Sequence, residues 1–269
     1  MIKRKIKNFS LREISISGQC FRMREIGSAN DTFEIIAGDK RLLTAQKSDV
    51  ISFDCTKDEF EKHWANYFDL QTDYEKIIGS IEKKDKYLQA AARSASGVRI
   101  LRQDLFEMII TFIISQQNNI QRITKSIEKL CEAYGKKFGR GDDAYYAFPT
   151  AKKLASLSED DLLLLGLGYR AKYIIKVAND IASGAFNLNP LKKMDYDDAK
   201  RELLSLYGVG EKVANCICLF ALHHTEAFPI DTHIKQILDK NYPNGFPFKR
   251  YEGCAGILQQ YMFYYDLHG

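Results

Sequence analysis

The spacing of apolar residues along the chain changes character near residue 56. Before that point, five short runs are rich in β-branched and aromatic residues, as β-strands usually are: LREISIS, QCFRMREI, DTFEIIA, RLLTAQ and VISFDC. Turn-forming pairs such as Ser17-Gly18 and Gly38-Asp39 stand between them. This pattern predicts an antiparallel sheet.

From residue 56 the apolar positions recur every three or four residues, which is the spacing of amphipathic helices. Two such runs are visible: Phe60, Trp64, Tyr67 and Phe68, then Tyr74, Ile77, Ile78 and Ile81. We expect the helices that they form to pack on the sheet.

After residue 97 the pattern is helical almost to the end of the chain. The run LFEMIITFIIS follows Asp104, carries Glu107 in capping-box spacing and is apolar on nearly all sides, so it predicts a central buried helix. Further helices are predicted near 119–135, 151–156, 159–165, 169–183, 196–206, 211–222, 232–240 and 250–266. The predicted fold class is α+β, with a sheet domain at 1–96 and a helical region at 97–269.

Two of these helices follow each other closely and form a hairpin. The first has Asp195 as its predicted N-cap, and the second begins at about residue 211. Between them, Gly208 and Gly210 can take positive φ and let backbone N–H groups approach a ligand. Unpaired N–H groups at a helix start suit a phosphate and recognise no particular base, so the hairpin favours a nucleic-acid backbone.

Lys212 lies in the first turn of the second helix. An ammonium there faces the positive end of the helix dipole and loses hydration if buried, so the neutral and nucleophilic amine is favoured. Nineteen positions later, Asp231 follows Pro229 and stands where another helix should begin. Its carboxylate could cap that helix, act as a base or stabilise a cation that develops on a substrate.

Composition narrows the class of protein only broadly. The 269 residues are 45% hydrophobic and 28% charged, which is typical of globular proteins, and the net charge of +4 is compatible with a local basic surface. The six cysteines form no Cys-x-x-Cys pair, which favours a reducing compartment. The N-terminus lacks a signal-peptide pattern and no run reaches about 20 apolar residues, so we expect an intracellular protein outside the membrane.

The segment GVGEKVANCICLFAL, followed by FPIDTHI, resembles the 8-oxoguanine DNA glycosylase family of the helix-hairpin-helix superfamily. Tyr207 departs from the family, which often has proline before the glycine turn. The resemblance implies three subdomains with a cleft between two helical ones. It implies a bifunctional glycosylase and abasic-site lyase that removes 8-oxoguanine from duplex DNA, without a cofactor. Lys212 would attack C1′ of an everted nucleotide, and Asp231 would stabilise the cationic sugar.

The resemblance also assigns residues that recognise the base. Cys216 and Phe263 would sandwich the everted purine, and Gln259 would bind its Watson–Crick edge. The carbonyl of Gly18 would accept the N7 hydrogen that distinguishes 8-oxoguanine from guanine. From the residues alone, Cys216 and Phe263 are equally compatible with core packing, and Gly18 with a hairpin turn.

The stretch at 115–122, SQQNNIQR, resembles the family segment that fills the hole left by the everted base, although Gln117 stands where asparagine is usual. Asn119, Arg122 and Arg170 match residues that contact the opposite cytosine, and Tyr169 matches the wedge. Both arginines could instead contact phosphate only. Matches to family phosphate contacts are Gly208, Gly210, Val213 and His233.

No metal site is expected. Cys216 and Cys218 face different directions on a helix, and Cys254 stands alone where some relatives carry a four-cysteine iron–sulphur loop. The absence of that loop favours the 8-oxoguanine branch. We expect a monomer that binds duplex DNA containing 8-oxoguanine. Two alternatives remain: a glycosylase for another lesion, and a non-catalytic helix-hairpin-helix module that only binds DNA.

Overall fold

A computed structural model describes residues 1–27 and 31–269. The N-terminal region is a five-stranded antiparallel sheet with strand order β1-β5-β4-β3-β2. Its strands are β1 (Ile2–Lys5), β2 (Met23–Glu25), β3 (Thr32–Ala37), β4 (Lys40–Lys47) and β5 (Val50–Phe53). The sheet confirms the predicted architecture, and it gains an edge strand, β1, that the apolar pattern did not reveal.

The first predicted strand is wrong, because LREISIS forms helix α1 (Leu11–Ile16). Ser10 caps this helix by accepting a hydrogen bond from the Glu13 N–H, and the buried Leu11 and Ile14 lie three residues apart on one face. Ile14 and Ile16 alternate as the buried residues of a strand would, but only Ile14 is buried and Ile16 is exposed. Gly18 therefore lies between α1 and β2 and not in a β-hairpin.

Helical turns cover the sheet on one face. They comprise α2 (Lys57–Glu59), a π-helical segment at Phe60–Trp64 and α3 (Ala65–Tyr67). Phe60, Trp64 and Phe68 share a buried apolar cluster with Phe33 and Phe53 of the sheet, as expected.

The second pair of runs packs elsewhere. Helices α4 (Tyr74–Gly79) and α5 (Lys86–Ser94) join the larger helical core, and α5 lies against the C-terminal helix. The expectation that they pack on the sheet is therefore wrong. The domain boundary at residue 96 stays a prediction about where one folding unit ends and the next begins. The two apolar cores do not separate at that residue.

The remaining helices form one large core around α6 (Leu105–Ile114), which is buried along its whole length. Asp104 caps α6 as predicted, but Glu107 does not complete a capping box and instead pairs with Arg22. The other helices are α7 (Ile120–Tyr134), α8 (Ala151–Ala155), α9 (Glu159–Leu163), α10 (Arg170–Ala182), α11 (Leu188–Leu191), α12 (Tyr196–Leu204), α13 (Glu211–Phe220), α14 (Thr232–Asn241) and α15 (Ala255–His268). A two-stranded sheet of β6 (Lys137–Phe138) and β7 (Tyr145–Tyr146) follows α7.

Candidate active site

A cleft of about 870 Å³ opens where the starts of α13 and α14, the end of α15 and loop 115–119 approach the turn at Gly18. It brings together residues that lie far apart in sequence, from Gly18 to Leu267. Eight of the residues singled out from the sequence line it: Gly18, Asn119, Gly210, Lys212, Val213, Asp231, His233 and Phe263. The cleft is therefore the candidate site.

Lys212 enters the cleft because α13 begins one residue earlier, after Gly210 as its N-cap. Its ammonium nitrogen lies 5.5 Å from the centroid of the Phe112 ring, which supports it from α6. One helical turn further on, burial raises the pKa of the Cys216 thiol, while the neighbouring Lys212 lowers it and the neighbouring Asp231 raises it. Lys212 and Asp231 both line the cleft.

Asp231 is the N-cap of α14. Its Oδ1 accepts a hydrogen bond from the Ile234 N–H at 2.9 Å, as the sequence predicts for a carboxylate at a helix start. That bond uses Oδ1, and Oδ2 accepts no hydrogen bond from the residues that the structure describes. Capping and a chemical role are thus compatible at this position.

Gly18 and Phe263 meet across the cleft. Gly18 has φ of +77°, and a Cβ built on it would lie 3.0 Å from Cε1 of Phe263. Glycine is favoured here mainly because the left-handed backbone is strained for other residues, and a Cβ would also force the Phe263 ring to shift by a few tenths of an ångström. His233 lies beside the same ring at 6.0 Å between centroids, and its Nδ1 is 2.8 Å from Oδ2 of Asp266.

Cys216 and Gln259 do not line the cleft. Each is only 3% exposed, which places both side chains behind the wall formed by α13 and α15. The Nε2 of Gln259 donates to the carbonyl of Pro229 at 3.0 Å, and its Oε1 accepts from Gln260 at 3.3 Å. The amide is therefore held by the protein in this state.

The residues matched to the opposite base lie on the rim. Asn119 caps α7 by accepting from the Arg122 N–H at 3.0 Å, and Arg122 itself is exposed. Arg170 donates through Nε to the carbonyl of Gln116 at 2.9 Å and through a terminal nitrogen to that of Gln117 at 3.1 Å. In this state the Arg170 guanidinium holds the backbone of loop 115–119.

Gln116 connects three elements of the rim, although the sequence indicated no role for it. Its carbonyl accepts from Arg170 and, at 3.4 Å, from the hydroxyl of Tyr169. Its side-chain amide donates to the carbonyl of Gly208 at 3.0 Å. Only the position of Gln116 within the stretch 115–122 could have drawn attention to it, since nothing in the sequence indicates a contact across 92 residues.

The hairpin turn depends on one glycine more than on the other. Gly208 has φ of +82°, and a Cβ on it would lie 2.5 Å from Cγ of Tyr173. Gly210 has an ordinary φ of −100° and open space around it. Positive φ is thus used at only one of the two positions, while Gly210 leaves the start of α13 open to the cleft.

Family models match almost the whole chain. The model of the 8-oxoguanine DNA glycosylase N-terminal domain matches residues 1–109, and that of HhH-GPD superfamily base excision DNA repair proteins matches residues 110–244. The chain belongs to the 8-oxoguanine DNA glycosylase family. The resemblance drawn from the hairpin and from Asp231 is confirmed at the level of the family, and so is the α+β fold of a sheet domain joined to a helical region.

Individual relatives agree with the family models. The chain is 36% identical to the N-glycosylase/DNA lyase of Saccharomyces cerevisiae over 73% of its own length and 57% of that protein. It is 32% identical to a probable N-glycosylase/DNA lyase of Methanothermobacter thermautotrophicus, over 73% of this chain and 71% of the relative. The chain therefore spans a little over half the length of the yeast relative.

A solved structure of this family matches the fold closely. It is the 8-oxoguanine glycosylase/lyase of Clostridium acetobutylicum in complex with double-stranded DNA containing cytosine opposite 8-oxoguanine. The two chains are 35% identical, the match covers 97% of this chain and 93% of the other, and the TM-score is 0.90.

Two further observations concern residues 1–27 and 31–269. Among them, no group of three or more His, Cys, Asp and Glu side chains is placed to hold a metal ion. No helix there is long and apolar enough to cross a lipid bilayer.

Proposed function

We propose that this protein is a bifunctional DNA glycosylase and abasic-site lyase that excises 8-oxoguanine from duplex DNA. The observation that carries the proposal is the shared cleft. Lys212 and Asp231 enter it from two helix starts, and Gly18 and Phe263 face each other in the same space. A nucleotide turned out of a duplex would meet an amine, a carboxylate, an aromatic face and a close-packed backbone together.

The proposed chemistry begins at C1′ of the everted nucleotide. The lone pair of the Lys212 amine forms a bond to C1′ as the glycosidic bond breaks, and the base leaves with its electron pair and takes up a proton. Asp231 stabilises the positive charge that develops on the sugar through its free Oδ2. In the adduct the nitrogen lone pair forms the C=N bond as the C1′–O4′ bond breaks, and O4′ takes up the proton that the amine loses, which gives a Schiff base. The released base then removes a proton from C2′, the electron pair forms the C2′=C3′ bond, and the phosphate leaves from C3′ with the electrons of its C–O bond.

Base recognition uses four residues in this proposal. Phe263, which lines the cleft, stacks on one face of the purine. Cys216 and Gln259 are buried behind the cleft wall, so they contact the other face and the Watson–Crick edge only after that wall moves and Gln259 releases the carbonyl of Pro229. The Gly18 carbonyl accepts the N7 hydrogen of 8-oxoguanine. Guanine lacks that hydrogen and would leave a buried acceptor unpaired, at a cost of about 1–3 kcal/mol.

The rim residues contact the DNA that surrounds the lesion. Tyr169 is the wedge, Asn119, Arg122 and Arg170 contact the opposite base, and excision is fastest opposite cytosine. The hairpin at Gly208 and Gly210, the N–H of Val213 and the side chain of His233 bind phosphates. The protein acts inside the cell as a monomer, in the nucleoid if the organism is prokaryotic.

Borohydride trapping tests the proposal. Reduction of the Schiff base should join the protein covalently to a duplex with 8-oxoguanine opposite cytosine, and Lys212→Gln should abolish the adduct. As the control, Lys235→Gln changes a lysine on the exposed side of α14 and should trap normally. Tight binding of the wild-type protein without an adduct would favour the non-catalytic module.

A lesion and opposite-base panel separates the remaining alternative. Single-turnover excision should be fastest for 8-oxoguanine opposite cytosine. If another lesion is excised faster, the protein is a related glycosylase with different specificity. If rates are equal opposite all four bases, Arg122 and Arg170 contact phosphate only.

A further inference from the structure

An exposed row of three tyrosines lies outside the cleft and has no part in the chemistry above. Tyr169 and Tyr173 stack edge to face at 5.6 Å between ring centroids, and Tyr173 and Tyr207 do so at 5.2 Å. The two outer rings are 47% and 44% exposed, and among the other Phe, Tyr and Trp side chains of the described residues only Phe248 is exposed as well. An exposed aromatic cluster of this kind is typical of a surface that binds a ligand or another macromolecule.

The ends of the tyrosine row fix where it lies. The Tyr169 hydroxyl reaches the carbonyl of Gln116 in loop 115–119, at the edge of the cleft. Tyr207 directly precedes Gly208, and Tyr173 packs beneath that glycine. The row therefore joins the rim of the cleft to the hairpin, and each of its two ring-to-ring distances exceeds the rise of about 3.4 Å per nucleotide of a duplex strand.

Charge identifies the part of the strand that would bind. Lys172 is exposed, its ammonium nitrogen lies 5.7 Å from the centroid of the Tyr207 ring, and within the described residues it makes no ion pair. Two cavities of about 320 Å³ each share Lys172, Tyr207 and Glu159 in their lining. An anion would be repelled by Glu159 and would sit at the Lys172 and Tyr207 side.

We propose that Lys172 and Tyr207 bind one backbone phosphate of duplex DNA next to the phosphates held by the hairpin. The ammonium supplies the charge and the phenol hydroxyl donates a hydrogen bond, and neither group distinguishes bases. Tyr207 stands where the family often has proline, so this chain would have an additional phosphate contact at that place. The inference rests on the proposed function, because it needs DNA in the cleft.

The salt dependence of DNA affinity tests it. A duplex with a tetrahydrofuran abasic analogue opposite cytosine forms no Schiff base, so its Kd can be measured from low to high salt. Lys172→Gln should lower the slope of log Kd against log salt by about 0.9, the contribution of one phosphate, and Lys172→Arg should restore it. Tyr207→Phe should weaken binding severalfold at all salt concentrations and leave the slope unchanged.

Two controls separate this inference from the function proposed above. Lys57→Gln changes an exposed lysine of the sheet domain and should leave the slope unchanged. Thermal unfolding should show the same Tm for all variants. If the wild-type protein is trapped by borohydride but Lys172→Gln keeps the wild-type slope, the phosphate site is wrong and the enzyme proposal stands. If the wild-type protein neither binds nor is trapped, both proposals fail.

Discussion

The two walls of the cleft are built in different ways. On one wall, Lys212 and Asp231 stand at the starts of α13 and α14, and the apolar residues of these helices, such as Val213 and Ile234, are buried in the helical core. On the other, loop 115–119 is held by side chains that bind its backbone, with Arg170 and Gln116 as the main contacts. The reacting groups are thus fixed by packing, whereas the rim is fixed by a few hydrogen bonds. Changes to the first wall should act on chemistry, and changes to the second on selectivity.

The largest effect is expected at Asp231. Asparagine is as good an N-cap as aspartate, so Asp231→Asn should keep the bond to Ile234 and unfold near the wild-type Tm. Loss of the charge should slow single-turnover excision by about 10²–10³-fold, the scale seen when one electrostatic contact to a transition state is removed. Unaltered excision would mean that Asp231 only caps α14.

The scaffold beneath the rim should respond to pH. Burial raises the pKa of Glu107 to about 7, although the guanidinium of Arg22 lies 3.4 Å away and opposes the shift. Between about pH 4.5 and pH 7 the folded protein holds a proton that the unfolded chain has released. Stability should therefore fall as pH rises through this window, by up to about 3 kcal/mol.

Glu107→Gln imitates the protonated side chain and should remove this fall. We expect the variant to gain stability relative to the wild-type protein at pH 8 but not at pH 4, in chemical unfolding at each pH. The comparison at each pH cancels the titration of the other carboxylates. A constant difference between the two proteins across the range would contradict the raised pKa.

The two hairpin glycines offer a matched pair. Gly208→Ala introduces strain at φ of +82° and a clash with Tyr173, so it should cost about 2 kcal/mol of stability and weaken DNA binding. Gly210→Ala meets open space at an ordinary φ and should cost less than about 1 kcal/mol. If both variants lose the same free energy of unfolding, neither the positive φ of Gly208 nor its contact with Tyr173 limits the residue at that position.

The smallest effect is expected at Gln116. Gln116→Ala removes one hydrogen bond to Gly208, worth about 1 kcal/mol, and loosens the link between the rim and the hairpin. Excision should slow about fivefold, and the preference for cytosine should fall. Gln71→Ala, an exposed glutamine of the N-terminal region, is the control. If Gln116→Ala slows excision but leaves the preference for cytosine unchanged, Gln116 acts on the chemistry, as the wall with Lys212 and Asp231 does.

The difference between the walls also explains what the sequence could predict. Asp104, Asp195 and Asp231 all cap helices as expected, because capping is decided within four residues. Local signals failed where two patterns overlapped, as in α1, where alternation at Ile14 and Ile16 concealed a capped helix.

Long-range contacts were beyond any local signal. The bond from Gln116 to Gly208 and the hold of Arg170 on loop 115–119 depend on which elements meet in the fold. The same holds for Gln259, since nothing in its helical position tells whether it faces the cleft or, as here, the carbonyl of Pro229.

The cap at Asp231 has a consequence for inhibitor design. Oδ1 is bound to a backbone amide, so a positively charged sugar mimic would bind to Oδ2. A pyrrolidine whose protonated nitrogen replaces the ring oxygen or C1′ carries two N–H groups, and one of them should donate to that oxygen. A tetrahydrofuran of the same shape lacks both the charge and the donors and should bind more weakly.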